Sequence, residues 1–259
     1  MRSMAIRRFR NVLVASAIVS AAVLLATAAQ AAANNLDGDK IATGDGDLVI
    51  HPINHATFVM GWNGKIIYVD PVGGAKRFDG MPRPDLILVT DIHGDHHDNG
   101  TLEAVATDKT ALVAPAAVAE KLPEKLSKQT TVLANGQTKT VAGIRIEAVP
   151  MYNLTADRLK FHTKGRGNGY VVTLGGKRVY ISGDTEDIPE MRSLKNIDVA
   201  FVCMNLPYTM TVEQAASAVR AFKPKIVYPY HYRGSDTEKF KQLVGGNSGV
   251  EVRLRDWYK

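Results

Sequence analysis

The sequence predicts a fold of the α/β (α+β) class, in which two β-sheets pack against each other and helices cover their outer faces. From residue 48 to the C-terminus, short apolar runs of strand length alternate with turn signals. Strand patterns dominate the early part of each half of the chain, and helical patterns join them in the later part. This order of elements is typical of layered folds with sheets at the centre.

The first half of the chain contains four predicted strands and two predicted helices. The strand patterns cover residues 48–50, 56–60, 65–70 and 86–90, and the helical patterns cover residues 101–106 and 118–126. Asn63-Gly64 lies between the second and third strands and is a hairpin signal. Pro123 interrupts or kinks the second helix. The polar, Gly/Asp-rich segment 32–46 is expected to be a loose N-terminal lead.

The second half predicts seven strands and three helices. The strand patterns cover residues 138–141, 144–150, 169–174, 177–182, 199–204, 225–230 and 250–254. Helical patterns cover residues 188–194 and 236–244, and a further helix begins at Thr211. Thr211 and Gln214 form a capping box, and apolar residues follow at helical spacing.

Residues 1–31 have the pattern of a secretory signal peptide. Four arginines within the first ten residues precede an almost wholly apolar stretch over residues 12–29, and Ala29-Gln30-Ala31 is a small-x-small cleavage site. We therefore expect residues 32–259 to form the mature domain, exported to the periplasm or secreted. An uncleaved membrane anchor is the alternative, because the apolar stretch is about long enough to span a bilayer. Arg7-Arg8 gives a weak hint of twin-arginine export.

The positive net charge is largely a property of the leader. The chain has 32 basic and 26 acidic residues and a net charge of +6, and removal of residues 1–31 leaves 28 basic and 26 acidic residues. The mature domain therefore gives little reason to expect nucleic acid as a substrate or partner. Cys203 is the only cysteine, so no intrachain disulfide forms. No second apolar stretch is long enough to span a bilayer, and the sequence does not define an oligomeric state.

Aspartate and histidine residues gather just after predicted strands. The segment TDIHGDHHD, residues 90–98, follows a buried strand and holds three of the seven histidines in the chain. Asp184 and His231 each follow another predicted strand, and His162 precedes one. Strand ends that lead into loops are where α/β folds collect functional groups. Imidazole and carboxylate are ligands for Zn, Fe and Mn, so these positions predict a metal site.

The number of candidate ligands suits a pair of metal ions. In an extended segment alternate side chains share one side, so Asp91, His93 and Asp95 can converge, and His96 can turn toward a second ion. The complete candidate set is Asp91, His93, Asp95, His96, His162, Asp184 and His231. We expect small molecules as substrates and two divalent ions as cofactors, with Zn as the expected metal and Mn or Fe as alternatives.

Each of these residues also has an ordinary structural interpretation. A single histidine at a strand end, such as His231, is usually a surface or hydrogen-bonded residue. Asp184 alone could cap a helix at Ile188 or form an Asx turn. Asp95-His96-His97 invites comparison with DHH phosphoesterases, but no acidic metal motif on an N-terminal strand accompanies it. The density of the 90–98 segment is what favours the metal interpretation.

The same residues resemble the signature of the metallo-β-lactamase superfamily. That signature is T-H-x-H-x-D-H, then a histidine, then the aspartate of a G-D pair, then a final histidine. This chain has Thr90-Asp91-Ile92-His93-Gly94-Asp95-His96, His162, Gly183-Asp184 and His231. The resemblance implies a four-layer αββα sandwich.

Further motifs resemble the branch of ascorbate-phosphate-lactonase-like proteins and uncharacterised metal-dependent hydrolases. The motifs are Asn54-His55-Ala56-Thr57, Asp70-Pro71, Tyr152-Asn153, the segment 161–170, Gly183-Asp184-Thr185 and Pro229-Tyr230-His231-Tyr232. They extend from about residue 48 to the C-terminus. A β-lactam is therefore not the expected main substrate.

The resemblance implies specific ligand sets. Asp91, His93 and His162 would hold one ion, Asp95, His96 and His231 would hold the second, and Asp184 would bridge them. Asp91 departs from the family pattern, because a histidine usually stands there. A carboxylate at this position favours the harder Mn or Fe over Zn, or weakens the first site.

The implied activity is hydrolysis of an ester, lactone or phosphoester by a metal-bound hydroxide. Asp95 stands where the fold keeps a carboxylate that both ligates and transfers a proton. His55 and Asp70 are candidates to support ligands, with a core histidine and a turn-forming Asp-Pro as the equal alternative. Asn153, Lys164, Tyr208 and Tyr232 are candidates to contact substrate. An iron-dependent oxidoreductase on the same fold and a non-catalytic periplasmic metal-binding protein remain as alternatives.

Overall fold

The computed structural model of the chain describes residues 36–258. The predicted signal peptide, residues 1–31, lies outside this range. Within residues 36–258, no helix is both long enough and apolar enough to cross a membrane.

The first sheet contains seven strands in chain order. They are β1 (Asp39–Thr43), β2 (Gly46–Asn54), β3 (Thr57–Trp62), β4 (Lys65–Val69), β5 (Leu86–Leu88), β6 (Ala111–Ala114) and β7 (Thr130–Val132). Strands β1 to β4 form an antiparallel meander, and β5, β6 and β7 are added in parallel to β4. Trp62 pairs with Lys65 across the Asn63-Gly64 turn, as the hairpin signal predicts.

The second sheet repeats this plan with the second half of the chain. Its strands are β8 (Thr138–Val141), β9 (Ile144–Met151), β10 (Gly167–Leu174), β11 (Lys177–Ile181), β12 (Val199–Cys203), β13 (Ile226–Tyr230) and β14 (Glu251–Val252). Strands β8 to β11 are antiparallel, and β12, β13 and β14 are added in parallel. The two halves therefore share a topology that sequence identity between them does not reveal.

Within the described residues, 36–258, six α-helices flank the sheets. They are α1 (Asn99–Val105), α2 (Ala116–Ala119), α3 (Glu124–Lys128), α4 (Pro189–Arg192), α5 (Val212–Phe222) and α6 (Thr237–Val244). Two short 3₁₀ helices cover Ala75–Phe78 and Ala156–Arg158. The side chain of Asp98 accepts hydrogen bonds from the backbone at the start of α1, and the predicted Thr211–Gln214 capping box begins α5.

Alternation along the strands creates separate apolar faces. Phe58 and Met60 of β3 face the second sheet, whereas Val59 between them belongs to the outer cluster with Leu102 of α1. Phe58 stacks on Phe201 of β12 with ring centroids 4.3 Å apart, which joins the two sheets. Helices α1 to α3 cover the first sheet, and helices α4 to α6 pack on the second. The predicted αββα sandwich is confirmed.

Two expectations about individual elements were wrong, and a third was confirmed. The segment 32–46 is not wholly a loose lead, because residues 39–43 pair with β2 as an edge strand. The helical pattern 118–126 is interrupted at Pro123 as predicted, because α2 ends at Ala119 and α3 begins directly after Pro123. Strands β6 and β7 were missed: β6 has the alanine-rich sequence ALVA, and β7 is a three-residue strand without a buried side chain.

Candidate metal centre

The candidate ligands come together at one edge of the sandwich because strands of both sheets end there. Residues 91–96 follow β5, Asp184 follows β11, and His231 follows β13. His162 lies in the loop between β9 and β10. The 91–96 loop is closed by backbone hydrogen bonds from the N–H groups of residues 96 and 97 to the carbonyl of His93, each 2.9 Å long. The position after each strand thus delivers one or more ligand atoms to a common centre.

The backbone around this centre is held in rare conformations. Residues 36–258 contain seven non-glycine residues with positive φ, and three of them are His55 (56°), Asp70 (44°) and His231 (47°). Gly183 has a φ of 60°, and a Cβ there would lie 2.5 Å from the Met151 sulfur. Strained backbone of this kind persists where surrounding contacts enforce it and is concentrated at functional sites.

One cluster contains four residues, and we call it the core cluster. Asp95, His96, Asp184 and His231 each offer one ligand atom, and these atoms all lie within 4.8 Å of one another. The Asp184 carboxylate is central: its Oδ2 lies 3.3 Å from His96 Nε2, and its Oδ1 lies 3.3 Å from His231 Nε2. Two carboxylates with two imidazoles are a donor set that suits Zn, Fe or Mn.

The buried polar atoms of this region support a cation. His96 Nε2, His162 Nε2 and Asp184 Oδ1 are buried and have no hydrogen-bond partner within residues 36–258. Buried polar atoms are normally paired, so three such atoms at one point indicate a missing positive partner. Burial lowers the pKa of His96, but the negative charges of Asp184 and Asp70 outweigh it and raise the pKa well above its ordinary value. The cluster therefore favours positive charge, and its residues fit a bound divalent ion.

His96 is fixed from behind by Asp70. The Asp70 carboxylate accepts a hydrogen bond from His96 Nδ1 at 2.8 Å and bonds from the Thr90 N–H and hydroxyl at 2.7 and 2.6 Å. Because Nδ1 is engaged by Asp70, Nε2 faces Asp184 and is the nitrogen that would ligate an ion. A carboxylate behind a histidine ligand is a common arrangement at metal sites.

His55 and Asn153 also contact candidate ligands. His55 Nε2 lies 3.2 Å from Asp95 Oδ2, and the His55 ring packs against the His231 ring, tilted by 33° with centroids 3.6 Å apart. Burial lowers the pKa of His55, which favours the neutral ring. The Asn153 side-chain NH₂ lies 3.2 Å from His162 Nδ1 and donates to the Tyr208 carbonyl at 2.7 Å. These contacts hold His231 and His162 in place.

The second cluster contains Asp91, His93 and His162, whose ligand atoms also lie within 4.8 Å of one another. His93 Nδ1 is 2.7 Å from Asp91 Oδ2, and His162 Nε2 is 3.8 Å from the same oxygen. His162 Nε2 also lies 3.2 Å from Asp184 Oδ2. Asp184 therefore stands between the two clusters, where a bridging carboxylate would be.

Arg166 occupies the side of the second cluster, and sequence reasoning missed it. Its Nη2 lies 3.2 Å from Asp91 Oδ2 and 3.4 Å from His93 Nε2, and its Nε lies 3.3 Å from Asp91 Oδ1. Arg166 also donates a hydrogen bond to the Phe161 carbonyl. Burial raises the pKa of Asp91, but the hydrogen bond from His93 and the positive charges of the surrounding residues lower it to about 2.

A cavity of about 560 Å³ opens onto both clusters. Its lining includes His93 and His162 of the second cluster, three members of the core cluster, and an apolar wall formed by Phe161, Leu206, Pro207 and Tyr208. Leu206 and Tyr208 are 46% and 44% exposed, and together with Phe161 they present a contiguous apolar surface to the cavity. Phe161 packs edge-on against Tyr208 with centroids 5.0 Å apart.

The structure brings most of the predicted site residues together. All seven predicted ligands belong to the two clusters, and His55, Asp70 and Asn153 contact them. Lys164 instead pairs with Glu190 at 2.8 Å, and the Tyr232 hydroxyl donates to the Arg255 carbonyl at 3.1 Å. Neither lines the cavity, so their positions give no support for substrate contact, whereas Tyr208 does line it. The ligand roles themselves stay predictions.

Comparison with known proteins places the chain in a family. Residues 49–231 match the model of the β-lactamase superfamily domain. The chain is similar to a UPF0173 metal-dependent hydrolase of Pyrococcus abyssi, with 34% identity over 215 residues that cover 77% of this chain and 93% of the relative. It also resembles the crystal structure of a protein from Parabacteroides distasonis assigned as a metal-dependent hydrolase, with 43% identity, a TM-score of 0.79 and coverage of 86% and 99%.

A more distant structure agrees on the fold. Igni18, a metallo hydrolase from Ignicoccus hospitalis, is 22% identical with a TM-score of 0.68, covering 82% of this chain and 96% of that one.

The chain belongs to the metallo-β-lactamase superfamily, as its motifs predict. Within that superfamily it is a metal-dependent hydrolase.

Proposed function

We propose that this hydrolase cleaves an ester, lactone or phosphoester bond in a small molecule bound over the core cluster. The observation that carries the proposal is the convergence of unpaired buried ligand atoms of His96, His162 and Asp184 beside the 560 Å³ cavity. A substrate in this cavity can reach the clusters and the apolar wall at the same time. Pockets that combine an apolar surface with a few convergent polar groups are typical of small-molecule sites.

The metal would supply two effects: a bound divalent ion lowers the pKa of water and polarises a carbonyl or phosphoryl oxygen. We propose Zn as the ion at the core cluster, with Mn or Fe as alternatives, and a second ion at the second cluster. Asp184, His96 and His231 would hold the core ion, with Asp95 as fourth ligand. These assignments follow the donor types and their convergence.

Asp95 is the residue best placed to move a proton. Its side chain is 43% exposed and lines the cavity, whereas the Asp184 side chain is 4% exposed. Burial raises the pKa of Asp95, but hydrogen bonds from His231 and His55 outweigh it and hold the pKa below its ordinary value. The carboxylate is therefore ionised at neutral pH and can accept a proton near the reacting bond.

The apolar wall supports a substrate with an apolar group next to the scissile bond. Phe161, Leu206 and Tyr208 form a surface that would bury such a group beside the clusters. Two loops supply this surface. Two hydrogen bonds join these loops: Asn153 donates to the Tyr208 carbonyl, and Arg158 donates to the Thr209 carbonyl at 3.0 Å.

We also propose that residues 1–31 direct export. The intact mass of the protein purified from its native host would show where its N-terminus lies and so test this.

The test combines metal analysis with a panel of chromogenic esters, lactones and phosphodiesters. Protein purified without chelators should contain a transition metal, and at least one substrate class should be hydrolysed. His96→Ala should lose metal and activity, whereas His97→Ala should keep both. His97 is a matched control because it is the next residue, and its Nε2 pairs with Asn99 at 2.8 Å instead of facing the cluster. Equal loss in both variants, or full activity in His96→Ala, would contradict the proposed site.

A further inference from the structure

We propose that the Arg166 guanidinium is a permanent positive charge at the second cluster. As a result, the chain binds one metal ion tightly at the core cluster and a second ion only weakly at the second cluster. The sequence predicts Asp91 as a metal ligand, and the structure places it both in the second cluster and against the Arg166 guanidinium. The proposal rests on the proposed function in one respect, namely that the core cluster holds a metal.

The contacts of Arg166 match those of a structural ion pair. The guanidinium meets both oxygens of the Asp91 carboxylate, through Nε at 3.3 Å and Nη2 at 3.2 Å. Two parallel N–H to oxygen contacts give an arginine–carboxylate pair both strength and geometric specificity. The hydrogen bond to the Phe161 carbonyl fixes the guanidinium from the other side. The side chain is 20% exposed and its Asp91 partner is fully buried, so solvent screens the pair only partly.

The same contacts engage atoms that a metal would need. Asp91 Oδ2 and His93 Nε2 both face Arg166 Nη2, at 3.2 and 3.4 Å. A metal on the single lone pair of His93 Nε2 would require the Arg166 contact at that atom to break. The Asp91 carboxylate has further lone pairs, so there the guanidinium competes with a metal through its positive charge. Removing the arginine would also leave Phe161 without this hydrogen bond.

Charge separates the two clusters further. The core cluster contains two carboxylates, Asp95 and Asp184, and no arginine or lysine contacts them within residues 36–258. The second cluster contains one carboxylate, and Arg166 already neutralises it. An incoming dication therefore meets Asp95 and Asp184 at the core cluster, whereas at the second cluster it meets only the shared Asp184, which lies 3.2 Å from His162. At short range in a partly buried site such a difference is large.

The experiment compares metal binding in the wild type, Arg166→Gln, Arg166→Lys and Lys164→Gln. Each protein is stripped with a chelator and titrated with Mn²⁺, and stepwise binding is followed by competition with a chelating dye and by electron paramagnetic resonance, which detects coupled Mn pairs. Lys164→Gln is the matched control, because it removes one positive charge from the same loop, and its ammonium pairs with Glu190 away from both clusters.

The wild type should show one tight ion and a second that binds at least about tenfold more weakly, the scale on which groups around a metal site change affinity. Arg166→Gln should bind the second ion at least about tenfold more tightly and give a coupled Mn signal. Arg166→Lys should stay closer to the wild type, and Lys164→Gln should match it.

Two equally tight ions in the wild type would overturn the proposal, as would an unchanged second affinity in Arg166→Gln with an intact circular dichroism spectrum. If Arg166→Gln fails to fold, native mass spectrometry of the wild type at two equivalents of Mn²⁺ still decides: one retained ion supports the proposal, and two refute it. Absence of any bound ion in every protein would instead reject the proposed function.

Discussion

The two clusters lie side by side and share the same kinds of side chain, yet they differ in how their charge is balanced. In the core cluster, Asp95 and Asp184 face only histidines, and His96 is held from behind by Asp70. In the second cluster, Asp91 is held by Arg166, and His93 has a side chain that is 39% exposed. Ligand types alone therefore do not define a metal site. The positive groups already present decide how much of the negative charge remains for a metal.

The largest expected effect comes from Asp184, whose carboxylate lies between the two clusters. Asp184→Ala removes the carboxylate that lies within 3.3 Å of His96, His162 and His231. We expect loss of the core ion and a fall in kcat/KM of more than about 100-fold, beyond the range for residues that only support ligands. Metal content by mass spectrometry and kinetics on the best substrate would check this. Retention of metal and rate would remove Asp184 from the site.

A pair of histidine variants compares the clusters directly. His96→Ala should abolish tight metal binding, whereas His93→Ala should keep the tight ion and lose only the weak second one. The reason is that His96 is buried in the core cluster and His93 is half-exposed beside Arg166. Chelator competition measures the tight ion in both. Equal loss in the two variants would show that the clusters act as one site.

Asp70→Asn tests the support behind the core cluster. The amide keeps the size of the carboxylate but does not fix the His96 ring with Nδ1 as the donor. Metal affinity should fall by about 10–100-fold, as is usual when the partner of a ligating histidine is changed. Thr90→Val, which removes only the hydroxyl that donates to Asp70 at 2.6 Å, should have a smaller effect. A larger loss in the threonine variant would contradict this order.

A smaller effect is expected from the wall that both clusters face. For a series of esters with lengthening acyl chains, kcat/KM should rise about fourfold per methylene that the wall buries, from roughly 0.8 kcal/mol per CH₂. Tyr208→Ala should flatten this series and leave metal content unchanged, because Tyr208 lines the cavity without contacting a ligand through its ring. Val132→Ala alters another exposed apolar residue and should leave the rise of kcat/KM with acyl-chain length unchanged. A chain-length series that is flat in the wild type would exclude this role.

The smallest expected effect concerns the loop that carries His162. The buried Glu186 carboxylate accepts hydrogen bonds from Leu154 and Thr155 and pairs with Arg158, which anchors this loop. Burial raises the pKa of Glu186, but these contacts outweigh it and lower the pKa below its ordinary value. The stabilisation is therefore complete above the unfolded pKa of about 4.3 and is lost as pH falls through the lower folded pKa.

Urea unfolding of metal-free protein between pH 7 and pH 3 tests this linkage. Glu186→Gln should lower the free energy of unfolding by roughly 1–3 kcal/mol at pH 7, and the difference from the wild type should shrink toward pH 3. Glu213→Gln, at an exposed position paired with Lys239, should change stability little. A difference that stays constant with pH would show that Glu186 acts through packing alone.

The sequence carried enough information for the fold and for most of the site. Apolar runs of strand length predicted most of the buried strands, because burial on both faces demands continuous apolar sequence. The buried strand β6 was missed, since its run ALVA is short and alanine-rich. The weak edge strands β1 and β7 were not predictable in this way, since an edge strand needs no apolar pattern. The aspartates and histidines were recognisable because these two residue types recur within a few positions after a strand.

Arg166 could not be found in the same way. It lies 75 positions after Asp91, and an arginine in a glycine-rich loop carries no pattern that distinguishes it from a solvent-exposed one. Only the folded loop between β9 and β10 brings it to the carboxylate. The supports of His96 and His162 were partly accessible, because Asp70 and Asn153 belong to recognisable motifs, although their partners depend on the packing of the two sheets.

The most direct test of the central claim is anomalous X-ray scattering from crystals of the wild type grown with one equivalent of Mn²⁺ or Zn²⁺. The account predicts a single anomalous peak bounded by Asp95, His96, Asp184 and His231, with Arg166 still paired to Asp91. A peak among Asp91, His93 and His162 with the core cluster free of metal, or equal peaks at both clusters with Arg166 in place, would contradict it.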